Sequence, residues 1–153
     1  MNPSDLIILL ICSGVFGAVI GAYFGTIEYR IRTGGKLISS RCFCPVCGHE
    51  LSLLHQIPVI SWIALKGRCH YCQSPISIRY PLSEGGFTLY YVTAFLFLYH
   101  NPLSLMIAWY LFTALLLFIR CHGHWKAFAR GALIMLFFHL IFCPLIAVIL
   151  VTA

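Results

Sequence analysis

Four apolar runs, at about residues 6–27, 82–99, 103–119 and 131–151, constrain this chain more than any other feature. The first is long enough to cross a hydrocarbon core of ~30 Å as a helix, and the middle two are slightly short of it. Only 9% of the 153 residues are charged and 61% are hydrophobic, whereas an ordinary soluble domain carries roughly 25% charge. The composition belongs in a bilayer. The formal net charge is +6, and all ten basic residues fall between runs one and two (Arg30, Arg32, Lys36, Arg41, Lys66, Arg68, Arg79) or between runs three and four (Arg120, Lys126, Arg130). That placement follows the positive-inside rule, which puts both basic loops in the cytoplasm and, with four crossings, both termini outside. The basic residues track the membrane faces, so lipid rather than nucleic acid is the expected partner.

The first run lacks a basic leader segment and reads as a retained helix, not a cleaved signal peptide. Gly17, Gly21 and Gly25, with Gly14 nearby, repeat at the spacing that lets a second helix approach closely. His100-Asn101-Pro102 is short enough to join runs two and three as a helical hairpin. Aromatic residues crowd the second run, and Pro144 is expected to kink the fourth. His139, inside that last run, is an ionisable membrane residue best read as a neutral imidazole hydrogen-bonded between helices.

The long polar loop carries Cys44-Pro45-Val46-Cys47 and, after 21 residues, Cys69-His70-Tyr71-Cys72. Two Cys-x-x-Cys pairs so placed predict a four-thiolate metal site, with zinc as the expected ion. A cytoplasmic loop is reducing, which favours metal ligation over disulfides. Four protein ligands close the coordination sphere and make the role structural. Cys42 lacks the two-residue spacer of a knuckle. Cys12 and Cys143 lie in apolar runs as small hydrophobes. His49 and His70 flank the ligands, and Cys121-His122-Gly123-His124 is poorly spaced for one ion. Between the knuckles, residues 57–65 are apolar around Trp62. They can form a small core about the metal or lie on the membrane surface, where Trp is favoured.

At this loop the chain resembles the type IV prepilin peptidases. The resemblance is carried by Ser40-Arg41-Cys42-Phe43-Cys44-Pro45-Val46-Cys47, Ile57-Pro58-Val59-Ile60-Ser61-Trp62, Leu65-Lys66-Gly67-Arg68-Cys69-His70-Tyr71-Cys72 and Ile76-Ser77-Ile78-Arg79-Tyr80-Pro81-Leu82-Ser83-Glu84. The end of the first helix, from Gly21 to Arg30, is similar too, with Ala22 and Gly25 where the family has Ser and Asn. The resemblance is dense over residues 17–86 and rests on helix pattern alone up to 119. It implies membrane aspartic proteases that cut the leader from prepilins and type II secretion pseudopilins. Many members then methylate the new amine with S-adenosylmethionine. Their protease chemistry needs two aspartates whose shared proton splits their pKa values.

The sequence departs from the family there. Arg120 stands where the first aspartate is expected, no Gly-x-Gly-Asp motif occurs, and the only aspartate is Asp5. Glu28 and Glu84 lie near the cytoplasmic ends of helices one and two. Each is expected to pair with a nearby arginine, such as Arg30 or Arg79, rather than to form a catalytic pair. Glu84 matches a family glutamate, which gives it, with Arg79 and Glu28, a possible part in docking or methyl transfer. No glycine-rich loop for S-adenosylmethionine is evident.

The expectation is an all-α integral membrane protein of about four transmembrane helices in the bacterial inner membrane, with one cytoplasmic zinc loop between helices one and two. It divides into residues 1–27 (tail and first helix), 28–84 (four-cysteine loop) and 85–153 (remaining helices). It reads as a truncated or degenerate family member, linked to prepilin or pseudopilin processing but without protease activity of its own. The alternative is a non-catalytic membrane zinc module or scaffold that partners a separate catalytic half.

Overall fold

The computed structural model describes residues 2–34, 42–120 and 125–152. Side chains of 102, 127 and 143–152 lie outside that description, as do Lys36, Arg41 and the Cys121–His124 group singled out above. The described residues form α1 (Pro3–Thr33), a 3₁₀ turn (Leu53–Gln56), α2 (Ile60–Ala64), α3 (Arg79–Leu98), α4 (Pro102–Arg120) and α5 (Trp125–Thr152). The architecture is all-α, and its only β pairings among the described residues are two isolated bridges in the long loop.

Local chemistry sets the helix ends. Pro3 opens α1, where its missing N–H costs nothing. Asp5 in the first turn and Arg30 and Arg32 in the last complement the helix dipole. Gly34 closes α1 in the left-handed region (φ 71°), its N–H returning to the Arg30 carbonyl. The Asn101 side chain caps α4 by accepting the Ser104 N–H at 3.2 Å. Helices α1, α3 and α5 each begin a few residues before the apolar runs, because the flanking residues remain helical. α5 continues through Pro144.

The glycine stripe of α1 is the seam against α3. A Cβ on Gly17 would lie 2.8 Å from the Phe87 carbonyl oxygen, and one on Gly21 2.8 Å from the Glu84 Cα. Backbone therefore meets backbone, a distance that only glycine permits. Aromatic rings fill the centre. Tyr91 stacks on Trp109 at 4.7 Å, and Phe16 stacks on Phe142 at 3.8 Å.

The bundle is apolar outside as well as inside. Ile8, Ile11, Val15 and Val19 on α1, and Ile107, Leu111 and Leu115 on α4, are exposed. Helices apolar all round belong in a membrane. Pro3–Thr33 and Leu103–Arg120 are long and apolar enough to cross one, and Phe128–Phe142 is a shorter apolar segment.

His139 is fully buried between helices, in agreement with the sequence reading. Its Nδ1 lies 2.7 Å from the Met135 carbonyl, which can only accept, so Nδ1 carries the hydrogen. Nε2 then accepts from the Tyr91 hydroxyl at 2.6 Å. Thr113 extends the network, 3.0 Å from that hydroxyl, and donates to the Trp109 carbonyl at 2.7 Å. Periodicity gave no sign of Tyr91 and Thr113 as partners.

Candidate metal centre

The loop folds as two copies of one hairpin. In the first, the Cys44 N–H donates to the His49 carbonyl at 2.9 Å, the Gly48 N–H to the Cys44 carbonyl at 2.8 Å, and the Leu51 N–H to the Cys42 carbonyl at 2.9 Å. In the second, Cys69 bonds Ser74 at 2.9 Å, Gln73 bonds Cys69 at 3.0 Å, and Ile76 bonds Gly67 at 2.7 Å, all in the same sense. The bridges Phe43 with Glu50 and Arg68 with Pro75 close the two copies. Each turn needs a positive φ after its second cysteine, supplied by Gly48 (70°) and by Gln73 (57°).

The pairing brings the Sγ atoms of Cys44, Cys47, Cys69 and Cys72 within 4.8 Å of one another. Cys44 Sγ and Cys72 Sγ are 3.9 Å apart. A tetrahedral ion bound at ~2.3 Å to sulfur needs thiolates about 3.8 Å apart. The donor set therefore fits: four soft thiols at near-ligating separation can hold a metal ion, and zinc suits them. Cys44 and Cys69 are buried, while Cys47 and Cys72 are exposed.

The surrounding amides already favour anionic sulfur. Donation from the Cys47 and then the Val46 N–H lowers the Cys44 thiol to about 6. The Ser74 hydroxyl, 3.1 Å from Cys72 Sγ, lowers that thiol. At Cys47 the His49 N–H acts downward, but partial desolvation within the thiol cluster and the neighbouring Cys72 and Cys44 thiols outweigh it and push the group up to about 11. One thiol in such a group holds its proton while its neighbours give theirs up, until a cation neutralises the cluster. Ser74 was not flagged by the cysteine spacing. Its relation to the sulfurs follows from the second hairpin turning back on itself.

Other singled-out residues fall around this centre. Cys42 is half-buried and stands outside the thiol group. The His49 ring packs on Tyr71 at 3.6 Å, and His70 stacks on His55 at 4.6 Å, so both histidines face aromatic neighbours. Trp62 turns inward, over Gly67, and donates its indole N–H to the Ile76 carbonyl at 3.1 Å. Its ring belongs to the small core about the hairpins.

Glu84 accepts the Val59 N–H at 2.6 Å. Val59 is the centre of a γ-turn, in which the Ile60 N–H reaches the Pro58 carbonyl at 2.6 Å and φ is 61°. Such a conformation is strained for a β-branched residue. Glu84 thus ties the loop to α3 instead of pairing with Arg79, which is exposed. Glu28 pairs with Arg32 at 3.1 Å and with Arg120 at 3.6 Å, not with Arg30. The Arg32 guanidinium also donates to the Arg120 carbonyl at 3.1 Å. Glu28 and Glu84 therefore have separate partners.

A membrane-embedded helical bundle bearing a twin-hairpin four-cysteine centre defines the class. Residues 15–98 match the family described as Bacterial Peptidase A24 N-terminal domain, and the chain belongs to that family. It is similar to the prepilin leader peptidase/N-methyltransferase of Myxococcus xanthus, with 40% identity over 70 residues, 46% of this chain and 21% of that protein. Its likeness to the Aeromonas hydrophila protein of the same name is 51% over 49 residues, covering 32% and 17%. With the Pseudomonas putida protein, also so named, it is 39% over 131 residues, covering 71% and 40%. The chain thus spans less than half the length of these relatives. No solved structure matches it.

Proposed function

We propose that the chain serves prepilin or pseudopilin maturation in the bacterial cytoplasmic membrane as the family's zinc-bearing module, and does not cut the leader by itself. The observation that carries the reading is the convergence of Cys44, Cys47, Cys69 and Cys72 within 4.8 Å on a loop of the matched family domain. These four residues would hold zinc, whose contribution there is to fix the two hairpins against each other. The relatives' names speak of leader peptidase and N-methyltransferase activity. Aspartyl proteolysis needs two carboxyls that share a proton, and this chain has Asp5 alone. Asp5 lies about 35 Å along α1 from Glu28, at 1.5 Å per residue. Arg120, where the family's first aspartate is expected, is held in an ion pair with Glu28. Methyl transfer would need S-adenosylmethionine as donor, and no residue here is assigned to hold it.

The test is the intact mass of a prepilin incubated with the reconstituted chain and S-adenosylmethionine. An unchanged mass is expected. Loss of a leader-sized fragment by the purified chain would overturn the non-cutting half of the reading. A second reading, a scaffold for a separate catalytic half, is favoured by the Glu28–Arg120 pair, which leaves that end of the bundle without a free carboxylate dyad. It expects faster leader loss when a separate Gly-x-Gly-Asp-bearing membrane protein is reconstituted together with this chain than without it.

A further inference from the structure

The apolar segment between the two hairpins has two faces with different fates. Trp62 turns into the loop's own core. On the other side, Ile60 and Ile63, one turn apart on α2, are each 64% exposed, and Ala64 beside them is exposed too. The 3₁₀ turn that packs against α2 adds Leu53 at 85% and Leu54 at 73%. A loop surrounded by water would not leave four large aliphatic side chains in one short stretch uncovered.

The depth at which α2 is attached says what covers them. Glu84 accepts the Val59 N–H just before α2, and the Glu84 backbone packs on Gly21 of α1. From Gly21, α1 runs on to the charged belt of Glu28, Arg32 and Arg120. At 1.5 Å per residue that belt is about 10 Å further along the helix than the attachment point. α2 is therefore fastened to the flank of the bundle, on the membrane side of its charged end, and not beyond it. An interfacial helix lies at this depth, with its apolar face ~5–10 Å into the boundary between headgroups and acyl chains. Lys66 and Arg68 follow α2 directly and are exposed, as is Arg79 at the start of α3. Cations flanking an apolar face suit anionic headgroups. The γ-turn at Val59, held by Glu84, fixes the start of α2 against α3.

We infer that α2 and the Leu53–Gln56 turn form an interfacial membrane anchor, seating Leu53, Leu54, Ile60 and Ile63 in the anionic phospholipid leaflet around the bundle. The metal centre is thereby held against the membrane surface at a fixed height. The anchor is independent of whether the chain cuts prepilin.

The full chain is reconstituted in nanodiscs of phosphatidylcholine and phosphatidylglycerol, with the photoreactive p-benzoylphenylalanine placed at Ile60, at Ile63 or, as a reference on the first hairpin, at the exposed Val46. Metal content and protease resistance equal to the unsubstituted chain certify the fold of each, and Leu54 gives a further site should either α2 position fail that check. After irradiation, phospholipid-mass adducts on the peptides bearing positions 60, 63 and 54 are expected severalfold more often than at 46. Equal adduct yields at all sites would overturn the anchor. So would adducts at 60 and 63 made only to a second copy of the chain or to another protein.

Discussion

Gly48 and Gln73 hold the same place in the two hairpins, yet only one is glycine. Both adopt positive φ, and nothing lies within 4 Å of a Cβ built on Gly48, so the penalty there is backbone conformation alone. A non-glycine residue in this region costs roughly 1–2 kcal/mol. Gly48→Ala is expected to weaken metal retention against a chelator and to destabilise the loop by about 1 kcal/mol. Gln73→Gly is expected to be neutral or stabilising, since its lost contact to the His70 carbonyl is exposed. A measured loss for Gln73→Gly as large as for Gly48→Ala would refute the repeat. The thiols make a second expectation. Cys44→Ser or Cys69→Ser should lower bound zinc and open the loop to protease; full zinc stoichiometry in both would break the ligand assignment. The Cys44 thiol is held below its ordinary value, at about 6. Its thiolate stabilisation is thus present at high pH and lost as pH falls through that value. Metal content followed from pH 8 downward should fall as protons compete with the metal for the thiolates, and a rise on acidification would contradict the assignment.

The seam between α1 and α3 makes its own demand at the scale of elements. A Cβ on Gly17 would stand 2.8 Å from the Phe87 carbonyl oxygen, and one on Gly14 only 3.4 Å from a Val92 methyl. Gly17→Ala and Gly21→Ala must push backbone from backbone, an overpacking that costs typically 1–3 kcal/mol. Gly14→Ala meets ordinary contact and should be tolerated. Unfolding in mixed detergent micelles should rank the three in that order, and a Gly14→Ala loss equal to that of Gly17→Ala would show that the seam is not as close as described. This seam was legible in the sequence because helical spacing alone puts Gly17, Gly21 and Gly25 on one face. The cysteine centre was legible for a like reason, since each pair is set by a local turn. The Glu84–Val59 bond and the Glu28–Arg120 pair were not, because they depend on how separate elements meet. Proximity along the chain pointed instead to Arg79 and Arg30. Trp62 shows the same limit: an apolar stretch with one Trp allows an inward or a membrane-facing ring, and only the approach of Gly67 decides it. The sequence posed core and membrane surface as alternatives, whereas the two faces of α2 allow each a share.

At the scale of the whole molecule, the placement of charge and the helix lengths make the topology testable. α1 has 31 residues, about 46 Å at 1.5 Å per residue, which exceeds a ~30 Å hydrocarbon core. If α1 crosses, its charged end, where Glu28, Arg32 and Arg120 meet, is the end expected to project from the membrane. That contact puts the end of α1 and the end of α4 on the same side. Asn101 caps α4 directly after α3, so the α3–α4 connection lies on the opposite side. If all four long helices cross, the start of α1 and the end of α5 share the side of that connection, away from the lysines and arginines among the described residues. A reporter active only outside the cytoplasm, fused after Ala153, is expected to be active, and the same reporter inserted after Gln73 to be silent. Activity after Gln73 would invert the whole arrangement and move the thiols into an oxidising compartment, where disulfides compete with metal. Silence after both would mean that α5 does not cross, leaving it to lie against α4 from within the same leaflet.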